Sequence, residues 1–275
     1  MWRPKHTLVM VTFALVSCST PVAPASTPTH GAVTLRVYAT TAAIPLLNDL
    51  TAHYMETHPN VSFETATGNF QSMMQKLNQS GEGYLLSNHL PQDNSILAWP
   101  IGQDGIALIT HPKNQVDGLT SDQLRSIYLG HVGRWSEVGG IDSPITILSR
   151  EDGSSTRTEF EKLLLGDRLT TQSAQIAPSS AAMVSSVAQM PNSIGYVSMS
   201  YLDASVKALN IDGITPTPAT VSDNTYPLRT NLYVVGLTEP QNMYRDFVGW
   251  IQTPEGQQIV GMHYAPLPTA LHSGT

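Results

Sequence analysis

The 275-residue chain has one cysteine, Cys18, so it can form neither an internal disulfide nor a cysteine-based zinc site. Charged side chains make up only 13%, which excludes a coiled coil and a chain kept disordered by charge. Basic residues are the scarcer sign, and 14 Lys and Arg against 21 Asp and Glu give a formal charge of −7. That balance argues against nucleic acid or an anionic membrane face as the main partner. Catalytic signatures are missing as well: there is no G-x-S-x-G, no H-E-x-x-H, no G-x-x-x-x-G-K-[ST] and no G-x-G-x-x-G. His53 and His58 are five apart, the wrong spacing for one helical face, so no metal and no cofactor are expected.

What is present is a loop-punctuated globular composition, 41% hydrophobic with 19 Pro and 20 Gly, in a chain long enough for one or two domains. Arg3 and Lys5 precede an apolar run from Leu8 to Val16, too short to span a bilayer, and then Leu15-Val16-Ser17-Cys18. Residues 1–17 read as an export signal. The Leu-Val-Ser-Cys run resembles the bacterial lipobox, which implies a lipid on Cys18 and the outer face of the bacterial cell membrane as the address. Cleavage there removes Arg3 and Lys5 and takes the formal charge from −7 to −9. Residues 18–33, rich in Pro, Ser, Thr and Ala, read as an extended tether.

From Thr34 onward, strands and helices alternate. Leu35 to Tyr38, Val61 to Phe63 and Tyr84 to Ser87 read as strands, separated by helices carrying Ile44, Leu47, Leu50 and Tyr54, then Phe70, Met73, Met74 and Leu77. This order predicts a parallel sheet covered by helices. The Phe70/Met73/Met74 stripe is read as core packing. A second series follows: strand Ile106 to Thr110, a helix capped by Thr120 or Ser121, strand Ile145 to Leu148, helices around Phe160 and Met183, and strand Ile194 to Val197. Leu228 to Val235 reads as a long strand and two short helices close the chain. The count fits two α/β lobes, joined by crossing strands near residues 97–110 and 226–236.

The chemistry is concentrated in Ser149-Arg150-Glu151-Asp152-Gly153-Ser154-Ser155-Thr156, between the carboxyl end of a strand and a helix start. Ligands of open α/β sheets bind at that edge, where a helix N-terminus presents free N–H donors. Arg150 offers a planar fork suited to an oxyanion, and Asp152 stands two residues on to hold it. A second reading of the same residues makes Thr156 and Glu159 a capping box and pairs Arg150 with Glu151 on the surface. The residue pattern leaves both readings open.

The segment resembles the R-S-D-G-S-G-T signature of phosphate-binding proteins of bacterial phosphate-uptake ABC transporters. Leu129-Gly130-His131-Val132-Gly133-Arg134-Trp135 resembles that family's F-x-G-x-I-x-x-W, and Asn192 to Val197 resembles its G-A-I-G-Y-V. Ala39 to Leu46 is similar to its G-S-T-S-x-x-P-L loop, and Thr65 to Asn69 stands at its Gly/Ser-rich turn. The resemblance implies a two-lobed, periplasmic-binding-protein-like fold of type II, each lobe a mixed sheet flanked by helices. Lobe 1 would comprise 34–104 and 228–271, and lobe 2 would comprise 105–227. It implies a monomeric binding protein, not an enzyme, that takes inorganic phosphate between its lobes and delivers it to the transmembrane subunits of an ABC permease. Arg150, Ser154, Ser155 and Thr156 would donate to the ligand, with Asp152 orienting Arg150. Thr41, Ala42 through its N–H, and Thr67 would bind from the other lobe. Asn88 stands where the family carries an aspartate that accepts the phosphate proton; an amide both donates and accepts, which relaxes selection against sulfate. A sensor or binder of another tetrahedral oxyanion and a surface phosphohydrolase are the alternative readings.

Overall fold

The computed structural model describes residues 32–268 apart from 94 and 167; the leader, Cys18 and the tether up to residue 31 lie outside them. Among the described residues no helix is long and apolar enough to cross a membrane.

The chain opens with β1 (Val33–Thr40), a 3-10 turn (Thr41–Ala43), α1 (Ile44–Thr57), β2 (Val61–Gly68), α2 (Phe70–Ser80) and β3 (Tyr84–Ser87). Pro45 in the first turn pre-sets α1, and Leu46, Leu47, Leu50 and Tyr54 form its buried stripe. Each such leucine contributes about 1.5–3 kcal/mol by leaving water. Met73 and Leu77 of α2 pack beneath Tyr38, Leu85 and Val235, so the methionine stripe belongs to the core. β1 runs parallel to both β2 and β3, the arrangement expected of β-α-β connections.

The second series comprises β4 (Leu97–Thr110), β5 (Gly118–Leu119), α3 (Ser121–Tyr128), β6 (Thr146–Arg150), α4 (Ser155–Phe160), β7 (Gln175–Ala177), α5 (Ser180–Gln189) and β8 (Ser193–Ser198). α4 runs on as a π-helical turn through Leu165. Thr120 caps α3 in a reciprocal capping box with Gln123. β9 (Lys207–Ala208), β10 (Asn210–Ile211), α6 (Pro218–Ser222), β11 (Arg229–Gly236), α7 (Asn242–Ile251) and α8 (Pro254–Val260) complete the chain. The main sheet has the order β2-β1-β3-β11-β4-β8-β6-β7, and β4 carries both lobes. Its first part pairs antiparallel with β11, and Ile106 to Thr110 pair antiparallel with β8.

β2 differs from the sequence reading, since it continues as strand through Thr65 to Gly68, residues read at a turn. β4 spans the residues 97–110 read as the first crossing strand, extending the apolar run Ile106 to Thr110 back through Pro100, Gly102 and Gly105. Those breakers are tolerated for local reasons: the register shifts between Leu232 and Tyr233, where Pro100 pairs, and Gly102 lies under α8. A Cβ at Gly102 would sit 2.8 Å from Val260 Cγ1 and 2.9 Å from the Ala265 carbonyl oxygen. Among the described residues β11 pairs with β3 and β4, and the Leu228 carbonyl just before it accepts the Ile106 N–H at the second crossing.

At the crossing lies Asp104, fully buried and opposite Thr230 of β11. Ser198 Oγ donates to its Oδ1 at 2.9 Å, while Oδ2 has no protein partner. Burial outweighs the donors from Ser198, Met199 and Gly105 and pushes the carboxyl up to about 7. The folded chain therefore holds this proton more tightly than the unfolded chain, whose aspartates titrate near ~4. Stability from this group is full below about pH 4 and is lost as pH rises toward 7. Asp104→Asn is expected to remove that slope: the unfolding free energy of the variant, from urea titration, should exceed the parent's by up to a few kcal/mol at about pH 8, with the gap closing by about pH 4.

Candidate functional site

Several strand ends meet where the two lobes face each other. Arg150 ends β6 at 1% exposure, although its guanidinium is charged. Nε donates to Glu151 Oε2 at 2.9 Å and to the Ala177 carbonyl at 3.1 Å. Nη2 donates to Glu151 Oε1 at 3.0 Å and, across the lobes, to Thr41 Oγ1 at 2.9 Å. Nη1 donates to Ser180 Oγ at 3.2 Å, which leaves one Nη1 hydrogen outside these bonds. The Tyr196 hydroxyl, 2.9 Å from Ser149 Oγ, accepts the Arg150 N–H at 3.1 Å and so pins the strand end from behind. Phe160 stacks on the Tyr196 ring at 3.9 Å.

Glu151, not Asp152, therefore orients Arg150. The Arg150–Glu151 pair of the second reading does form, but Arg150 is buried at the lobe interface and Glu151 is half-buried beside it rather than set on the surface. Asp152 is exposed and its carboxylate takes Arg157 Nη1 at 2.7 Å. The reason is local: Gly153 has φ 79°, and the tight turn it allows leaves Asp152 outside while Glu151 folds back along the strand end. The capping box also differs. Ser154 is the N-cap of α4, accepting the Arg157 N–H at 3.4 Å, and Glu159 instead meets His89 Nδ1 at 2.6 Å.

Ser154, Ser155 and Thr156 are all buried, and the Thr156 hydroxyl has no protein partner. From the other lobe, Thr41 and Ala42 begin the helical run after β1 and are buried too. Tyr201 donates its hydroxyl to the Thr41 carbonyl at 2.6 Å and Tyr264 donates to that of Ala42 at 2.9 Å. The carbonyls are thus fixed, while first-turn N–H groups have no intrahelical acceptor. The β1–β3 register pairs Ala39 with Leu86, so Thr41 and Asn88 follow side by side beyond the strand ends. Asn88 is 1% exposed and neither its amide oxygen nor its nitrogen has a protein partner. An unpaired buried polar group costs about 1–3 kcal/mol, and Asn88 and Thr156 set such groups beside Arg150.

Thr67 does not join this set. It lies exposed near the end of β2, the outermost strand of its half of the sheet. Contact from this part of lobe 1 comes from Asn69 and Gln71, whose Nδ2 and backbone N–H donate to the carbonyls of Asp152 and Gly153 at 3.5 and 3.2 Å. Ser180, Tyr201 and Tyr264 were not singled out in the sequence. Only Ser180 had a local signal, since Pro178-Ser179-Ser180 before an apolar run marks a helix start; Ser179 caps α5 and accepts the Ala182 N–H.

The arrangement sets one guanidinium, nearly neutralised by its own carboxylate, among hydroxyls, an amide and the N-termini of α1, α4 and α5. Each terminus carries roughly half a positive charge and free donors, a composition matched to a small oxyanion. No nucleophile–base pair is assembled here among the described residues: Ser154 Oγ serves α4 as its cap, and His89 is committed to Glu159.

The sequence pattern described as PBP superfamily domain matches residues 24–255. The phosphate-binding protein PstS of Bacillus subtilis is 24% identical over 233 residues, covering 82% of this chain and 77% of the relative. PstS 2 of Streptococcus pneumoniae is 38% identical over 124 residues, 42% of this chain and 43% of the relative. A Clostridium perfringens protein solved with bound phosphate, described as a phosphate ABC transporter substrate-binding protein, superposes with a TM-score of 0.82. It is 30% identical, over 86% of this chain and all of that one. A phosphate transport receptor of Vibrio cholerae, 21% identical, shares the fold at a TM-score of 0.69 over 86% of this chain and all of that one.

Gly153 meets the facing lobe too closely to carry a side chain. A Cβ there would stand 2.8 Å from Gln71 Cβ, and its φ is strained for any other residue. Gly153→Ala is expected to hold the lobes apart, raising the radius of gyration in solution scattering, while melting falls by only a few degrees, the effect of about 1 kcal/mol.

Proposed function

The chain belongs to the PBP superfamily and is PstS-like, and from that premise we propose that it captures inorganic phosphate between its lobes and hands it to an ABC permease. Lobe 1 is taken as residues 34–104 and 228–271 and lobe 2 as 105–227. The observation that carries the reading is the buried cluster of Arg150, Thr41, Ser154, Ser155, Thr156, Ala42 and Asn88, in which Asn88 and Thr156 present polar atoms with no protein partner. A dianion pairs these groups together, and its bonds span both lobes, so binding and closure are one event. Charge-assisted bonds at roughly 1.5–3 kcal/mol each reach the −8 kcal/mol or so of micromolar binding with a handful of contacts. No covalent step is needed. The acidic chain slows encounter with an anion, but screening acts over about 8 Å, so donors aimed within the closed site decide affinity.

A lipid on Cys18 would tether this domain to the outer face of the membrane, with residues 18–33 as the lead, and the protein would work there as a monomer. A broader anion choice is favoured by one observation, the amide of Asn88. A carboxylate at that point would demand a proton on the ligand and repel sulfate, whereas an amide satisfies either anion.

Calorimetric titration tests the reading. Phosphate is expected to bind and sulfate to bind as well, with Asn88→Asp rejecting sulfate while keeping phosphate. Arg150→Ala and Thr156→Val should each weaken phosphate at least about tenfold in a folded chain; unchanged affinity in both overturns the assignment. Glu151→Gln should weaken binding by about tenfold because it releases a buried guanidinium. Asp152→Asn, on an exposed pair, should change it by less than about threefold.

A further inference from the structure

Beyond the groups that face the ligand, one side-chain contact joins the lobes from the sides of the site. His89 follows Asn88 directly, and its Nδ1 lies 2.6 Å from Oε1 of Glu159, seventy residues away on α4. Both side chains are largely buried, 16% and 12% exposed. Their neighbours fix the ring. Phe70 of α2 stands edge-on to it at 4.9 Å, and Ser87 Oγ, at the end of β3, accepts the His89 N–H at 3.0 Å and donates to its carbonyl at 2.9 Å. Glu159 is the charged group that faces the ring. The other charged residues at the start of α4 are engaged elsewhere, Arg157 with Asp152, Glu161 and the Arg150 carbonyl.

We propose that the His89–Glu159 pair is a positioning latch that sets Asn88 and the first turn of α4 around the bound anion. The covalent geometry carries this. His89 is one residue from the unpartnered Asn88 amide, and Glu159 is one turn along the helix from Thr156, whose hydroxyl is also unpartnered. Tying 89 to 159 therefore fixes the distance between two groups that come from opposite lobes and have no bond of their own to hold them. Arg150 and Thr41 tie the lobes at a second point.

The proposal rests on phosphate as ligand for its binding arm, and a second arm is independent of it. The binding readout is the ratio of variant to parent Kd at one pH near neutrality. His89→Gln and Glu159→Gln in the full chain are each expected to raise Kd for phosphate about tenfold, and the double variant no further than either single. Amide hydrogen exchange, without added phosphate, is expected to quicken at residues 87–90 in both variants. Unaltered exchange there, or losses in the two single variants that add up in the double, overturns the latch. If the parent takes up no phosphate, the functional reading fails and the exchange arm decides the latch alone.

Discussion

Burying the Arg150 guanidinium is the constraint on which the rest of the site depends. Withdrawing a charge from water costs several kcal/mol, repaid only when its donors are matched by well-aligned partners. Those partners come from Glu151, Ala177, Ser180 and Thr41, segments far apart in the chain. β6 must end beside β7, α5 must begin just beyond, and the turn after β1 must arrive from the other lobe. A guanidinium so committed has little freedom left, and its Glu151 partner cancels most of its charge. Attraction for an anion is therefore shared among helix N-termini and hydroxyls, whose dipoles are fixed before the ligand arrives.

The lobes meet this constraint through a shared strand rather than a flexible linker. β4 passes from one half of the sheet to the other, and Asp104 lies at the passage without a partner for Oδ2. The turn after β8 connects that carboxyl to the binding loop. Ser198 bonds Asp104 and Ser200, and Tyr201 donates to the Thr41 carbonyl. A change at the hinge is therefore mechanically linked, within four residues, to the loop that receives Arg150. The close approach of Gly153 to Gln71 supplies the opposing limit, since the lobes can meet there only because one residue has no side chain.

The polar groups at the centre outnumber the charges. Asn88 and Thr156 carry a desolvation cost that the protein's own bonding does not offset, and in the proposed function a tetrahedral oxyanion would remove it. The surrounding pairs, Arg157 with Asp152 and His89 with Glu159, act on backbone position rather than on the ligand. The exposed one contributes little and the buried one holds geometry.

Much of this was legible in the order of residues. Apolar spacing placed α1 and α2, because a helix with a buried face must repeat its leucines and methionines every three to four residues. Arg150 and the serines after it were legible as a strand-to-helix oxyanion segment because that chemistry is local. Partnership across the fold was not. Asp152 and Glu151 are equally placed in sequence to serve Arg150, and only the Gly153 turn decided for Glu151. Thr67 looked equivalent to Thr41 until β2 proved to be an outer strand. Ser180, Tyr201 and His89 entered the site from segments with no spacing relation to Arg150. Local pattern determines which elements form and which residue types can bind an anion. Which carboxylate, hydroxyl or imidazole reaches which partner was decided by tertiary structure, because those distances are set by sheet order and lobe closure, not by separation along the chain.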